Sequence, residues 1–171
     1  LCEIVAVFTA SMMGFKLLSA AHLLWINLVT DSAPGLALGM EKAEADIMRR
    51  KPRDAKAGIF AGGMGIDILY QGLLVSVLTL VSFFIGHWLA DGSVNFADSA
   101  HGTTMAFLTM SMAEIFHSFN MRSQRGSIFK LGSQNKVLLG AAVFTLIATT
   151  LVCEVEFLAT AFGFTMVSLP E

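Results

Sequence analysis

The sequence predicts an all-α membrane protein: a bundle of about five transmembrane helices, the first of them truncated. Three observations lead there. Hydrophobic residues make up 55% of the 171 and charged ones only 14%, where an average soluble domain carries roughly a quarter charged. The mean hydropathy is +0.70, and the apolar residues fall into long runs separated by short polar loops. The eleven Lys and Arg residues gather in two of those loops, which hold six and four of them. The formal net charge of −2 decides nothing, because placement matters more than the sum.

Segment one, 1–15, is apolar apart from Glu3. At 1.5 Å per residue it falls short of a hydrocarbon core about 30 Å thick, so it reads as the second half of a helix whose start is missing. The chain opens inside this apolar run without a basic leader; a signal peptide is not expected, and a piece of a longer polypeptide is. Lys16 to Ala20 makes a tight hairpin. Segment two, 22–40, is apolar but carries Asn27, Thr30 and Asp31 at its centre and Pro34 and Gly35 just beyond. Residues 41–58 form a polar loop whose charges and Pro52 exclude membrane burial.

Segment three, about 60–90, is introduced by Gly58, Gly62, Gly63 and Gly65. These glycines serve either a close approach to another helix or a flexible lead-in. The short loop at 91–102 has no Lys or Arg. Segment four, about 103–121, is rich in Met and Phe but carries Glu114, His117 and Asn120. A second basic loop, 122–136, leads to segment five, 137–153, uniformly apolar and structural. The tail, 154–171, is mixed and acidic, with no further long span expected. No internal repeat or low-complexity segment is visible.

Charge placement orients these elements. Two loops separated by two spans lie on the same side, and positive residues mark the cytoplasmic side. Loops 41–58 and 122–136 are therefore the cytoplasmic ones, and the hairpins facing out hold Lys16 alone. Segment one runs outward, two inward, three outward, four inward and five outward.

Glu3, Asp31 and Glu114 are acids well inside three different spans, and no Lys or Arg lies in any span to pair with them. Ionisable groups at membrane depth are costly and mark functional sites unless they meet a partner. Asn27 and Asp31 stand at i and i+4, with Thr30 beside them, so their oxygens share a helix face. Pro34 has no N–H to offer the carbonyl of Thr30 four residues back. Carboxylate, amide, hydroxyl and freed carbonyl form a set of hard oxygen donors suited to a hard cation. Two readings stand. Either a cation between the helices satisfies the acids together, or some of them stay protonated and bond a neighbour, since removal from water penalises the charged form.

Other polar residues carry structural readings beside functional ones. His117 lies one turn from Glu114, as a ligand or proton carrier or as a structural histidine near a helix end. Asn120 reads as a local cap. Asp67, Tyr70 and Gln71 share one side of segment three and suggest helix–helix hydrogen bonding. Trp25 and Trp88 suit packing or interfacial anchoring. Cys2 and Cys153 read as small apolar residues, with no CxxC or Cys/His metal spacing. The ten methionines fill gaps or face lipid rather than guide a soft metal. No GxxxxGK[ST] loop, dinucleotide glycine fingerprint or DKTGT-like segment is present, so this stretch does not turn over ATP by itself.

LLWINLVTD, then ALG, then DIMRRKPR resembles the C-terminal membrane region of type II P-type ATPases, most closely the calcium pumps of sarco/endoplasmic-reticulum type. The similarity covers essentially the whole chain, from the end of the family's fifth helix through its ninth. It implies that Asn27, Thr30 and Asp31 match the sixth helix's ion-ligating N-x-x-T-D set. Glu3 then matches the fifth-helix glutamate, and Glu114 the eighth-helix glutamate that completes a calcium site. Plasma-membrane-type and secretory-pathway pumps usually have Met where Thr30 stands, and sodium/potassium pumps show D-L-G-T-D over 27–31. Ser32-Ala33-Pro34-Gly35 departs from the more usual small-Leu-Pro-Ala run.

The resemblance implies the transport domain of an ATP-driven calcium pump, with Ca2+ as the transported ion. ATP and Mg2+ would be used by cytoplasmic domains outside this chain, and the bilayer, the N-terminal helices and those domains are its expected partners. The short loops resemble bacterial members, hence a multi-pass protein of a bacterial plasma membrane. A monomeric pump is expected, and nothing points to nucleic acid. The alternatives are a pump of the same family for Mn2+ or Na+/K+, and a stand-alone passive channel or subunit.

Overall fold

A computed structural model gives the fold and describes residues 1–42, 47–49, 58, 60–92, 96–122 and 135–167. Among these residues it is all-helical. The helices are α1 (Cys2–Met13), α2 (Ala20–Trp25), α3 (Ser32–Gly39), α4 (Met64–Asp91), α5 (Ala100–Asn120), α6 (Lys136–Glu154) and α7 (Glu156–Phe162). A π-helical turn, Ile26–Asp31, joins α2 to α3 without a break, so the three form one rod. α4 and α6 are each long and apolar enough to cross a bilayer. Most of the basic residues of loops 41–58 and 122–136 lie outside the described residues.

Local chemistry explains the ends. Gly14 stops α1 in the left-handed region at φ 88, where a glycine has no Cβ to clash. Ser19 then caps α2: its hydroxyl accepts from the His22 amide at 3.3 Å, and the Ser19 amide donates to His22 Nδ1 at 3.1 Å. This is a reciprocal capping box. His22 Nε2 meets the Phe162 carbonyl at 2.7 Å, which ties the start of the rod to α7. Ser99 and Asn135 cap α5 and α6, accepting from Gly102 at 3.1 Å and Leu138 at 2.9 Å. The tail, read from sequence as lacking a further long span, forms the short α7 instead.

α4 and α5 pack antiparallel through two glycines. A Cβ on Gly102 would stand 2.7 Å from the Phe83 carbonyl oxygen, and one on Gly86 would stand 3.0 Å from Gly102 Cα. The backbones therefore touch, as small residues permit. Ser82 donates to the Met105 carbonyl at 3.1 Å and accepts from Thr109 at 2.7 Å. Gly62 and Gly63, part of the glycine cluster before α4, adopt positive φ with no neighbour near; they serve a lead-in, and the close approach belongs to Gly86 and Gly102. Asp67, Tyr70 and Gln71 make no side-chain hydrogen bond among the described residues. The polar links of α4 come from Ser76 and Ser82.

The core joins Phe15, Phe83, Phe107, Ile26, Met110 and Val152. Phe15 stacks on Phe83 at 4.6 Å, and His22 stacks on Phe164 at 4.4 Å. One end of the bundle gathers Lys16, Ser19, Asp98 and Phe162 around a small cavity. The other brings Glu41, Arg122 and Asn135 together. The loops after α3 and α5 thus leave from the same end.

Candidate cation site

Three acids far apart in the chain meet between these elements. Glu3 lies in the first turn of α1, Asp31 closes the π turn, and Glu114 sits in α5. One carboxylate oxygen from each falls within 4.8 Å of the others. Two unit charges about 5 Å apart repel by roughly 3 kcal/mol at an effective dielectric of 20. Three such pairs, with no cationic side chain bonded to them among the described residues, call for neutralisation by a bound cation or by protons. Glu3 and Glu114 are half-buried, while Asp31 faces the open side of the cluster.

The π turn sets the surrounding donors. Asn27 Nδ2 donates to both Glu3 oxygens at 3.0 Å and to the Leu23 carbonyl at 2.8 Å, which holds the α1 acid against the rod. Ser32 Oγ donates to the Asn27 carbonyl at 2.8 Å, five residues back. The widened turn immediately precedes Pro34, whose missing N–H already weakens an α-helical register here. Thr30 is 1% exposed, and its hydroxyl has no hydrogen-bond partner among the described residues. Buried polar atoms are seldom left so. Glu114 Oε2 is likewise buried and unmatched among the described residues, while Oε1 accepts from the Cys2 thiol at 3.0 Å.

Of the five residues read from the sequence as cation ligands, Glu3, Asp31 and Glu114 converge, Asn27 reaches Glu3, and Thr30 is placed only by its position in the same π turn. His117 is half-buried and joins no cluster of metal-ligating groups among the described residues. Asn120 is exposed and makes no side-chain cap. Trp25 packs, with its ring edge-on to Phe162 and Nε1 3.4 Å from Thr149 Oγ1; Trp88 is exposed.

Sequence reasoning missed Cys2, read as a small apolar residue. Its thiol touches Glu114 across 112 positions, and no local pattern carries that pairing. It also missed Ser19, although Ser19-x-x-His22 is a capping-box variant visible in the letters.

Residues 15–171 match the family model described as "Cation transporting ATPase, C-terminus". The chain is 34% identical over 173 residues to a protein named calcium-transporting ATPase 1 of Bacillus cereus, covering 94% of this chain and 19% of that protein. It is 39% identical over 145 residues to calcium-transporting ATPase 1 of Lactococcus lactis, covering 84% and 16%. A plant relative, endoplasmic-reticulum-type calcium-transporting ATPase 3 of Arabidopsis thaliana, is 28% identical over 193 residues, covering 99% and 19%. The chain thus spans less than a fifth of the length of these relatives. With α4 and α6 apolar enough to cross a bilayer, it is an integral membrane segment. A family match over residues 15–171 and relatives above 30% identity along most of its length place the chain in the family of cation-transporting ATPase C-terminal regions.

Proposed function

We propose that this chain is the ion-binding and translocation part of an ATP-driven calcium pump. The single observation that carries the reading is the convergence of Glu3, Asp31 and Glu114 from three elements onto one point. Ca2+ takes oxygen ligands at about 2.3–2.6 Å, so oxygens on opposite sides of the ion stand roughly 4.6–5.2 Å apart. The 4.8 Å spread of the three carboxylates matches that span. Asn27 and Thr30 supply neutral oxygens, and the three acids supply more charge than a divalent ion carries. The names of relatives from bacteria and from a plant agree with calcium as the cargo.

In this reading α1, the α2–α3 rod, α4, α5 and α6 are five spans of one transport domain covering 1–171. Loops 41–58 and 122–136 face the cytoplasm, and a bacterial plasma membrane houses the protein. Cytoplasmic Ca2+ enters among the acids. ATP and Mg2+ act in cytoplasmic domains elsewhere in the pump, and phosphorylation there shifts the helices and opens the cluster outward. Loop 41–58 either contacts the phosphorylation domain or sets topology by its charge alone. Release leaves three carboxylates close together, which protons then neutralise.

The test uses the full-length pump in membrane vesicles, with ATPase activation measured across Ca2+, Mn2+, Na+ and K+. Activation by Ca2+ at the lowest concentration, lost in Asp31→Asn, is expected. Activation by another cation points to a sister pump. Cation flux without ATP points to a passive channel. Unchanged calcium dependence in Asp31→Asn removes the assignment.

A further inference from the structure

The end of the bundle opposite Lys16 is held by a hydrogen-bonded group that cation ligation does not use. Arg122, just past α5, donates from Nη2 to Glu41 Oε1 at 2.8 Å and from Nε to Glu41 Oε2 at 3.1 Å. Asn135, the cap of α6, donates from Nδ2 to the same Oε2 at 2.8 Å and to the Ala37 carbonyl of α3 at 2.9 Å. Its Oδ1 accepts from the Leu138 amide at 2.9 Å. The Arg122 and Glu41 side chains are only 8% and 16% exposed. One carboxylate thus joins the ends of three helices.

This arrangement bears on the acids because of what lies between. Asp31 stands at the head of α3 and Glu41 just past its end; Glu114 lies in α5 and Arg122 just past its end. An α-helix transmits the placement of its end along its length, at 1.5 Å per residue. The π turn on the other side of Asp31 is the less regular part of the rod. A planar guanidinium bound bidentately is the stiffest tie available between two side chains, and lysine does not reproduce it. The separation of Asp31 from Glu114 is therefore held from the Glu41 end.

We propose that Glu41, Arg122 and Asn135 form a clamp that positions two of the three acid-bearing helices, the rod and α5, for cation binding. The clamp rests on the calcium reading above and touches no ion. Its test is the calcium dependence of ATPase activity in vesicles holding the full-length pump, wild type beside Arg122→Ala, Arg122→Lys, Asn135→Ala and Glu41→Ala/Arg122→Ala. Arg122→Ala is expected to raise the calcium concentration for half-activation by about tenfold or more, as misplacing binding groups by a fraction of an ångström does, with the maximal rate per folded pump changed less than about twofold. Arg122→Lys falls between, and carries the test if the alanine variant does not fold. Glu41→Ala/Arg122→Ala also removes the Asn135 bond to Glu41, so its shift is expected at or above that of Arg122→Ala and no larger than the shifts of Arg122→Ala and Asn135→Ala added together.

Wild-type half-activation in folded Arg122→Ala or Arg122→Lys overturns the clamp, and so does a lower maximal rate at unchanged half-activation. Failure of the calcium reading looks different: the wild-type pump then responds to another cation, and the same variants are judged by that cation's half-activation. A pump that responds to no cation overturns both.

Discussion

The two oxygens of Glu114 have different surroundings. Oε1 accepts from the Cys2 thiol, and Oε2 is buried with no hydrogen-bond partner among the described residues. The thiol fixes one oxygen and leaves the other without a bond among the described residues, which makes Cys2 a positioning residue for the acid. A hydrogen bond to a charged group contributes about 1.5–3 kcal/mol, and a thiol is a weak donor. Cys2→Ala in the full-length pump should weaken calcium activation by about threefold to tenfold, and Cys2→Ser should restore most of it. Equal half-activation in wild type and Cys2→Ala would leave the thiol with packing alone. The acids were legible from the letters because a charge inside an apolar run has no cheap explanation. Cys2 was not, since a thiol reads as a small hydrophobe until the partner across the fold is known.

At the scale of elements, the packing of α4 on α5 is the tightest test of the fold. Gly102 leaves no room for a methyl against the Phe83 carbonyl, and the obstacle is backbone. Gly102→Ala should destabilise the purified pump by about 1–3 kcal/mol, read as earlier thermal unfolding in detergent. Gly140, with nothing near its Cβ position, is the control: Gly140→Ala should be neutral or slightly stabilising, by up to about 1 kcal/mol. The order of helices was readable from hydropathy; Gly14, Ser19, Ser99 and Asn135 end or cap them, and hydropathy does not mark those. The π turn was only half readable. Pro34 marked a weak place in the register, but hydropathy does not report whether carbonyls bond four or five residues on. The glycines before α4 drew attention by clustering, whereas the two that bring backbones together stand alone in their helices.

Across the whole molecule, two of the three acids and two of the clamp's three members share the rod and α5, Asp31 and Glu114 within them and Glu41 and Arg122 beyond their ends. The clamp was not legible because its members stand 81 and 94 positions apart, and loop charges read first as topology signals. It also carries a pH signature. The Arg122 hydrogen bonds hold the Glu41 carboxyl below its ordinary value of 4.5; partial burial opposes them and Asn135 adds to the lowering. A carboxyl depressed in the folded state contributes stability above that ordinary value and loses it as pH falls through the folded value. Stability of the wild-type pump should therefore decline below about pH 4.5, and Glu41→Gln should flatten that part of the profile. An unaltered acid profile in Glu41→Gln would show that the pair contributes nothing measurable.

Calcium binding itself tests the central claim most directly. Equilibrium binding of radioactive calcium to the purified full-length pump, without ATP, isolates the site from every later step. Wild type should bind saturably, and Asp31→Asn and Glu114→Gln should each lose about a hundredfold or more in affinity, as removal of one charged ligand from a three-carboxylate cation site does. Calcium binding of wild-type strength in both variants would contradict a site built from these acids.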